Sequence, residues 1–240
     1  MVMNQTELNK ANLTEDQTTL FKIDSEVMTN KALVYTSRAM IEENRLMILS
    51  NYAASFMGNR QLANQNTDDI FKNRELILNR YDCQSDVEEN FIQAQKNRAR
   101  LDYLAHRSKL NTLVLDVSEK MAAINTQLIE INKQIMAANE NIVEFNSEHI
   151  TTNLDLIEGD NSPEKATTKT NAVLIAQNKK AMHDVMASAQ SNRARMNSVI
   201  SSSLDNSDAL IENKSEIAER RESIMNNRGA LLANKNRILR

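Results

Sequence analysis

The sequence predicts an all-α protein: an elongated antiparallel three-helix bundle of the coiled-coil type, with very long helices. Three observations carry that expectation. The 240 residues hold only three glycines and one proline, too few to punctuate a compact domain of this length. Apolar residues return at helical spacing along most of the chain. Strong start and stop signals fall at three points only, and these divide the chain almost evenly. With four Tyr, five Phe and no Trp in a chain that is 41% hydrophobic, there is material for narrow apolar seams but not for a bulky core.

The elements follow in order. Residues 1–14 read as an N-terminal arm, because "LTEDQ" places Thr14 three residues before Gln17 in a capping box that satisfies orphan backbone N–H groups. The first helix is then 15–80. "CQSDVEE" repeats the device with Ser85 and Glu88 and opens a second helix over 85–157. "EGDNSPEKA" is the clearest signal: Gly159 can end a helix in the left-handed conformation within a turn at 158–162, Ser162 caps, and Pro163 takes the first position of a third helix over 163–240. Each helix would be on the order of 100 Å long at ~1.5 Å per residue. Short connections between long helices force antiparallel neighbours. The turn "RYDCQSD" lacks Gly and Pro, so one kinked rod through the first two helices is the alternative there, and Gly58 is a second candidate kink.

Asparagine, a poor helix former, keeps a heptad beat inside these helices. Of the ten positions from 90 to 153, seven apart, eight are Asn: Asn90, Asn97, Asn111, Asn125, Asn132, Asn139, Asn146 and Asn153, with Leu104 and Ser118 between them. The third helix repeats this with Asn171, Asn178, Asn192, Asn206, Asn213, Asn227 and Asn234. Its remaining positions are Val185, Val199 and Arg220. The first helix carries Asn30, Asn44 and Asn51, slips by one residue, and continues with Asn59, Asn66 and Asn73. Apolar residues run three or four positions away, as Ile41 and Ile48 do around Asn44. The asparagines therefore occupy a seam position or its immediate flank. Asn at a seam costs stability and fixes register and oligomer state. Two readings compete: layers of facing Asn side chains that set register within the bundle or between protomers, or small uncharged residues on the wet border of a broad apolar face. The repeat reads as a degenerate heptad with no longer unit.

Asn-Arg dipeptides recur at 44–45, 59–60, 73–74, 79–80, 97–98, 192–193, 227–228 and 236–237. An Arg beside a seam can reach a carboxylate or carbonyl of a neighbouring helix; a solvated charged face is the plainer reading. Two basic stretches stand out, one with Arg98, Arg100, Arg107 and Lys109 and one at the C-terminus with Arg237. They could meet an anionic membrane surface or an acidic protein. A net charge of −3 with interleaved signs gives no field for nucleic acid.

Nothing in the sequence points to catalysis, a cofactor or a metal. His106, His149 and His183 lack metal-ligand spacing, glycine-rich phosphate loops are missing, and Cys83 has no histidine near it in sequence. The single cysteine permits no internal disulfide. With no basic-then-apolar start and no run of about 18 apolar residues, the expectation is a soluble, cytoplasmic protein. The functional expectation is a non-enzymatic coiled-coil protein that associates with itself into a scaffold or filament through apolar and Asn-lined heptad seams. The residues expected to carry register or assembly are Asn44, Asn51, Asn66, Asn73, Asn97, Asn111, Asn125, Asn132, Asn139, Asn146, Asn178, Asn192, Asn213, Asn227 and Asn234. A peripheral membrane-binding or remodelling bundle is the alternative, and an adaptor for a partner helix the third reading.

Overall fold

A computed structural model describes residues 4–159 and 163–239 of the chain. They form an all-α helical bundle built on three long helical segments, with no strand among the described residues. The first segment comprises α1 (Gln5–Tyr52), a π-helical stretch (Ala53–Asn59) and α2 (Arg60–Leu78); α3 spans Asp86–Glu158, and α4 spans Thr168–Ile238 after a short 3-10 turn at Pro163–Lys165. Two compact units are present: Met1–Leu46 with Met136–Asp208, and Met47–Ile135 with Ala209–Arg240.

The caps explain where the helices begin. The first helix starts at Gln5, ten residues earlier than "LTEDQ" suggests. Asn4 forms the reciprocal box: its Oδ1 accepts from Glu7 N at 2.9 Å, and its own N donates to Glu7 Oε2 at 3.0 Å. Thr14 is mid-helix and turns its hydroxyl back onto the Lys10 carbonyl. So residues 5–14 belong to the helix and do not form an arm. At α3 the expected device is in place, with Glu88 N donating to Ser85 Oγ at 3.3 Å. Gly159 ends α3 at φ 87°, the left-handed region that glycine enters without Cβ strain. Pro163 opens the 3-10 turn rather than the helix, and Ser162 lies outside the described residues. The cap of α4 is instead Thr167, whose Oγ1 accepts from Thr170 N at 3.1 Å while Thr167 N donates to Thr170 Oγ1 at 2.8 Å.

α1 and α2 run parallel to α4, and the spacing of contacts shows it. In the first unit Asn9, Asn30 and Asn44 each bond a residue 159 positions later on α4. In the second unit the separation is 159 at Asn51 and 158 at Asn59, Asn66 and Asn73. The lost residue is the slip seen in the sequence, and the π-helix absorbs it. There Arg60 N donates to Ser55 O, one residue further back than an α-helix allows. Eight residues of the first segment thus pass seven of α4 without the contact face rotating away. Gly58 lies in this stretch, so the expected kink site is a π-bulge.

In the second unit α2 and α3 pack antiparallel after a turn at 79–85, which excludes a single continuous rod. Phe71 stacks on Tyr103 with centroids 4.7 Å apart, and Arg74 Nη1 lies 3.3 Å from Asp102 Oδ2. The Tyr103 hydroxyl donates to Asp68 Oδ1 at 2.8 Å, a bond that holds the phenol above its ordinary pKa. Ile92 and Ala99 are buried here. From residue 122 to the end of α3 every residue is exposed.

Removing Ser55 makes Asn59 follow Asn51 by seven residues, so it should convert the bulge to α-helix and leave the melting temperature unchanged or higher. Removing Ala32 rotates Asn9 and Asn30 away from α4. Losing those bonds together with the buried Ile23 contact between them should cost about 2 kcal/mol, or roughly 4–8 °C by thermal denaturation.

Candidate functional site

The feature that sets this fold apart is the row of residues by which the first helical segment meets α4. A helix carbonyl already accepts from the N–H four residues on, but its second lone pair is free for another donor. Asn carries an amide donor on a short stem, and seven-residue spacing returns it to the same face of the helix. The result is a ladder. In the first unit Asn9 Nδ2 donates to Thr168 O at 3.1 Å, Asn30 to Ala189 O at 2.8 Å and Asn44 to Ser203 O at 2.7 Å. The second unit has Asn51 to Leu210 O at 2.9 Å, Asn59 to Ile217 O at 2.8 Å, Asn66 to Ile224 O at 2.9 Å and Asn73 to Leu231 O at 3.4 Å. Asp16, Ile23 and Ser37 fill the intervening positions of the first unit and are buried too. The constant spacing pairs Ile23 with Met182, an apolar rung.

The rungs therefore differ from layers of facing amides: each Asn reads a backbone. The energetics favour specificity over strength. A net hydrogen bond contributes about 1 kcal/mol, whereas a buried polar atom left unpaired costs about 1–3 kcal/mol. The Oδ1 atoms of Asn30, Asn59 and Asn66 are buried without a partner among the described residues. Each such rung is close to neutral or unfavourable by itself, yet sliding α1 by one residue would leave the donors unpaired as well. That is how a polar seam residue selects one register.

Charged residues flank the ladder. Arg193 Nη1 reaches Glu26 Oε2 at 2.9 Å and Lys179 Nζ reaches Glu15 Oε2 at 3.0 Å in the first unit. In the second, Arg228 Nη1 donates to Gln65 Oε1 at 3.1 Å. Arg74, Arg193 and Arg228 thus do reach neighbouring helices, although such exposed pairs contribute little, about 0–1 kcal/mol each. Arg60 lies over the Phe56 ring instead, at 4.3 Å.

Of the residues singled out from sequence, Asn44 is a rung of the ladder in the first unit, and Asn51, Asn66 and Asn73 are rungs in the second. Asn97, Asn111, Asn125, Asn132, Asn139 and Asn146 on α3, and Asn178, Asn192, Asn213, Asn227 and Asn234 on α4, are exposed within one chain. Arg98, Arg100, Lys109 and Arg237 are exposed, and Arg107 is half-buried over the Tyr103 ring. Sequence reasoning left Asn9, Asp16, Ile23 and Ser37 out of the row, and kept Asn30 and Asn59 in the row without counting them as functional positions. Starting the first row at Asn9 would have found the first four. It also reveals a longer unit that a search for heptads alone missed: the three rows open at Asn9, Asn90 and Asn171, equal intervals of 81 residues. Their third positions are all apolar, Ile23, Leu104 and Val185.

Among the described residues no group of three His, Cys, Asp or Glu side chains is placed to hold a metal ion, and no helix is long and apolar enough to cross a membrane. Cys83 is half-buried in the turn between α2 and α3. No protein-family model, curated protein or solved structure matches this chain.

Substitutions at one rung should separate donor from bulk. Asn44→Ala should lower stability by about 1 kcal/mol. Asn44→Asp keeps the shape but sets an acceptor against the Ser203 carbonyl, and should cost about 3 kcal/mol at neutral pH. Asn132→Ala, on the exposed row of α3, should leave single-chain stability within about 0.5 kcal/mol in denaturant titrations.

Proposed function

We propose that this chain is a non-enzymatic structural protein that associates with itself into a scaffold or filament through heptad seams of the kind joining α1 and α4. The observation that carries the reading is the number of seam rows without a partner in one chain. On α3, Ile135, Ile142 and Phe145 are more than half exposed beside the Asn row that includes Asn132, Asn139 and Asn146. A row of large apolar residues on that scale marks an interaction surface. The Asn rows of α3 and α4 repeat the spacing of the row that the first segment already uses.

The chemistry agrees with a structural role. An amide-and-carbonyl seam has a fixed register and direction but no group suited to proton transfer or nucleophilic attack. A membrane-binding role draws support only from exposed basic residues, and Arg107 is engaged with Tyr103.

Negative-stain electron microscopy over a concentration series, with light-scattering mass, tests the proposal. Fibres, sheets or discrete particles of several chains are expected, little changed between low and high salt because the seams consist mainly of amides and apolar side chains, with Asp16 the carboxylate among the buried ladder positions. A particle that keeps the 27.2 kDa mass of one chain at every concentration would overturn it.

A further inference from the structure

Resting on the self-association reading, we infer that the first unit pairs with that of a second copy of this chain to close a ring of four parallel helices. In this ring the Asn row of α4 in each copy donates to the carbonyls of the apolar row of α1 in the other.

Each of the two helices carries two adjacent rows. One is the Asn row and the other an apolar row three residues before it; at ~100° per residue the two lie about 60° apart around the axis. The α1·α4 contact uses one row from each helix. α1 contributes its Asn row. α4 contributes the apolar row that includes Ile175, Met182 and Ala189, all buried, whose backbone supplies the accepting carbonyls. Left over are the complementary two: the apolar row of α1, with Leu13, Leu20, Val27, Val34 and Ile41 each 42–53% exposed, and the Asn row of α4, with Asn178, Asn192 and Asn206. Among the described residues of the first unit nothing covers either row, since residues 136–158 of α3 are themselves exposed.

The free rows are the same two kinds, in the same three-residue relation, as those already joined. The register therefore carries over from the interface in hand. Asn30 bonds the carbonyl of Ala189, three residues before Asn192. By the same rule Asn192 meets the carbonyl of Val27 in the second copy, Asn178 that of Leu13 and Asn206 that of Ile41. The side on which this happens is also fixed. On α1 the free row lies about 60° to one hand of the used row, and on α4 about 60° to the other. Because the two helices are parallel and face each other, both free rows emerge on the same side of the pair. A second pair, turned by a twofold axis along the helices, then covers both at once. The order around the ring is α1, α4, α1, α4, each donating to the next.

In the second unit α3 approaches the corresponding row, which favours the first unit for the ring. Ile70 of α2, on the corresponding apolar row, borders a cleft shared with Ala99 and Tyr103 of α3.

Cysteine pairing tests the assignment, in a Cys83→Ser background. Val27→Cys and Asn192→Cys lie at exposed positions, and the ring brings them within disulfide range of each other between copies. Chains carrying Val27→Cys alone, refolded with chains carrying Asn192→Cys alone, should give an oxidised product of twice the chain mass, and each variant by itself should not. Leu13→Cys with Asn178→Cys should behave alike. An oligomer that forms without these crosslinks would overturn the ring and leave self-association standing. A monomer without them, as when α3 of the same chain covers the face, would overturn both. Equal crosslinking of Val27→Cys with itself would overturn the alternating order.

Discussion

The structure depends on one interaction, the donation of an Asn side-chain amide to a backbone carbonyl of a neighbouring helix. Helices that pack through apolar side chains alone can slide by small amounts at little cost, because hydrophobic contact is not directional. A donor that must find a carbonyl cannot. Repeated every seven residues, the interaction fixes which way α1 runs against α4 and at what height. It also accounts for the π-helix at Ala53–Asn59. An extra residue between Asn51 and Asn59 would turn the lower rungs about 100° away from α4, and a local widening of the helix keeps them in place.

That choice of seam inverts the usual division of a helix. The buried stripe of α1 is largely polar, Asn9, Asp16, Asn30, Ser37 and Asn44, while the apolar row beside it, Leu13 to Ile41, stays open. On α3, whose buried residues Ile92 and Ala99 are apolar, the apolar residues from Ile124 to Ile157 are exposed as well. A monomer arranged in this way gains register from its contacts but little burial. Much of the apolar surface whose burial would offset chain entropy stays open in the single chain. The self-association proposed above would cover it, and the link from packing to the proposed function runs through that deficit.

Much of this was legible in the sequence, for identifiable reasons. Scarce Gly and Pro made long helices the only economical fold, and the caps at Ser85 and Gly159 are local signals that survive any tertiary context. The heptad of Asn was visible, including the slip after Asn51. The start at Gln5 was missed because Thr14 and Gln17 match a capping box that a mid-helix Thr satisfies with its own i−4 carbonyl, while Asn4 and Glu7 form the real one. The acceptor was missed because it is a backbone carbonyl: the row three residues before the Asn row of α4, from Thr168 to Leu231, was visible as an apolar row in its second half, but nothing in its side chains marks it as an acceptor. Which Asn row would be buried was equally hidden. The rows of all three long segments look alike, and only the pairing of α1 with α4 distinguishes them.

The most direct test of the account is hydrogen exchange at the asparagine side-chain amides, followed by NMR on protein labelled with 15N at Asn. If the ladder holds the helices, the Nδ2 protons of Asn30, Asn44 and Asn66 exchange orders of magnitude more slowly than those of exposed asparagines such as Asn79 in the turn between α2 and α3. Uniformly fast exchange across all of them, in a protein that is otherwise folded, would contradict the central claim that these amides set the register.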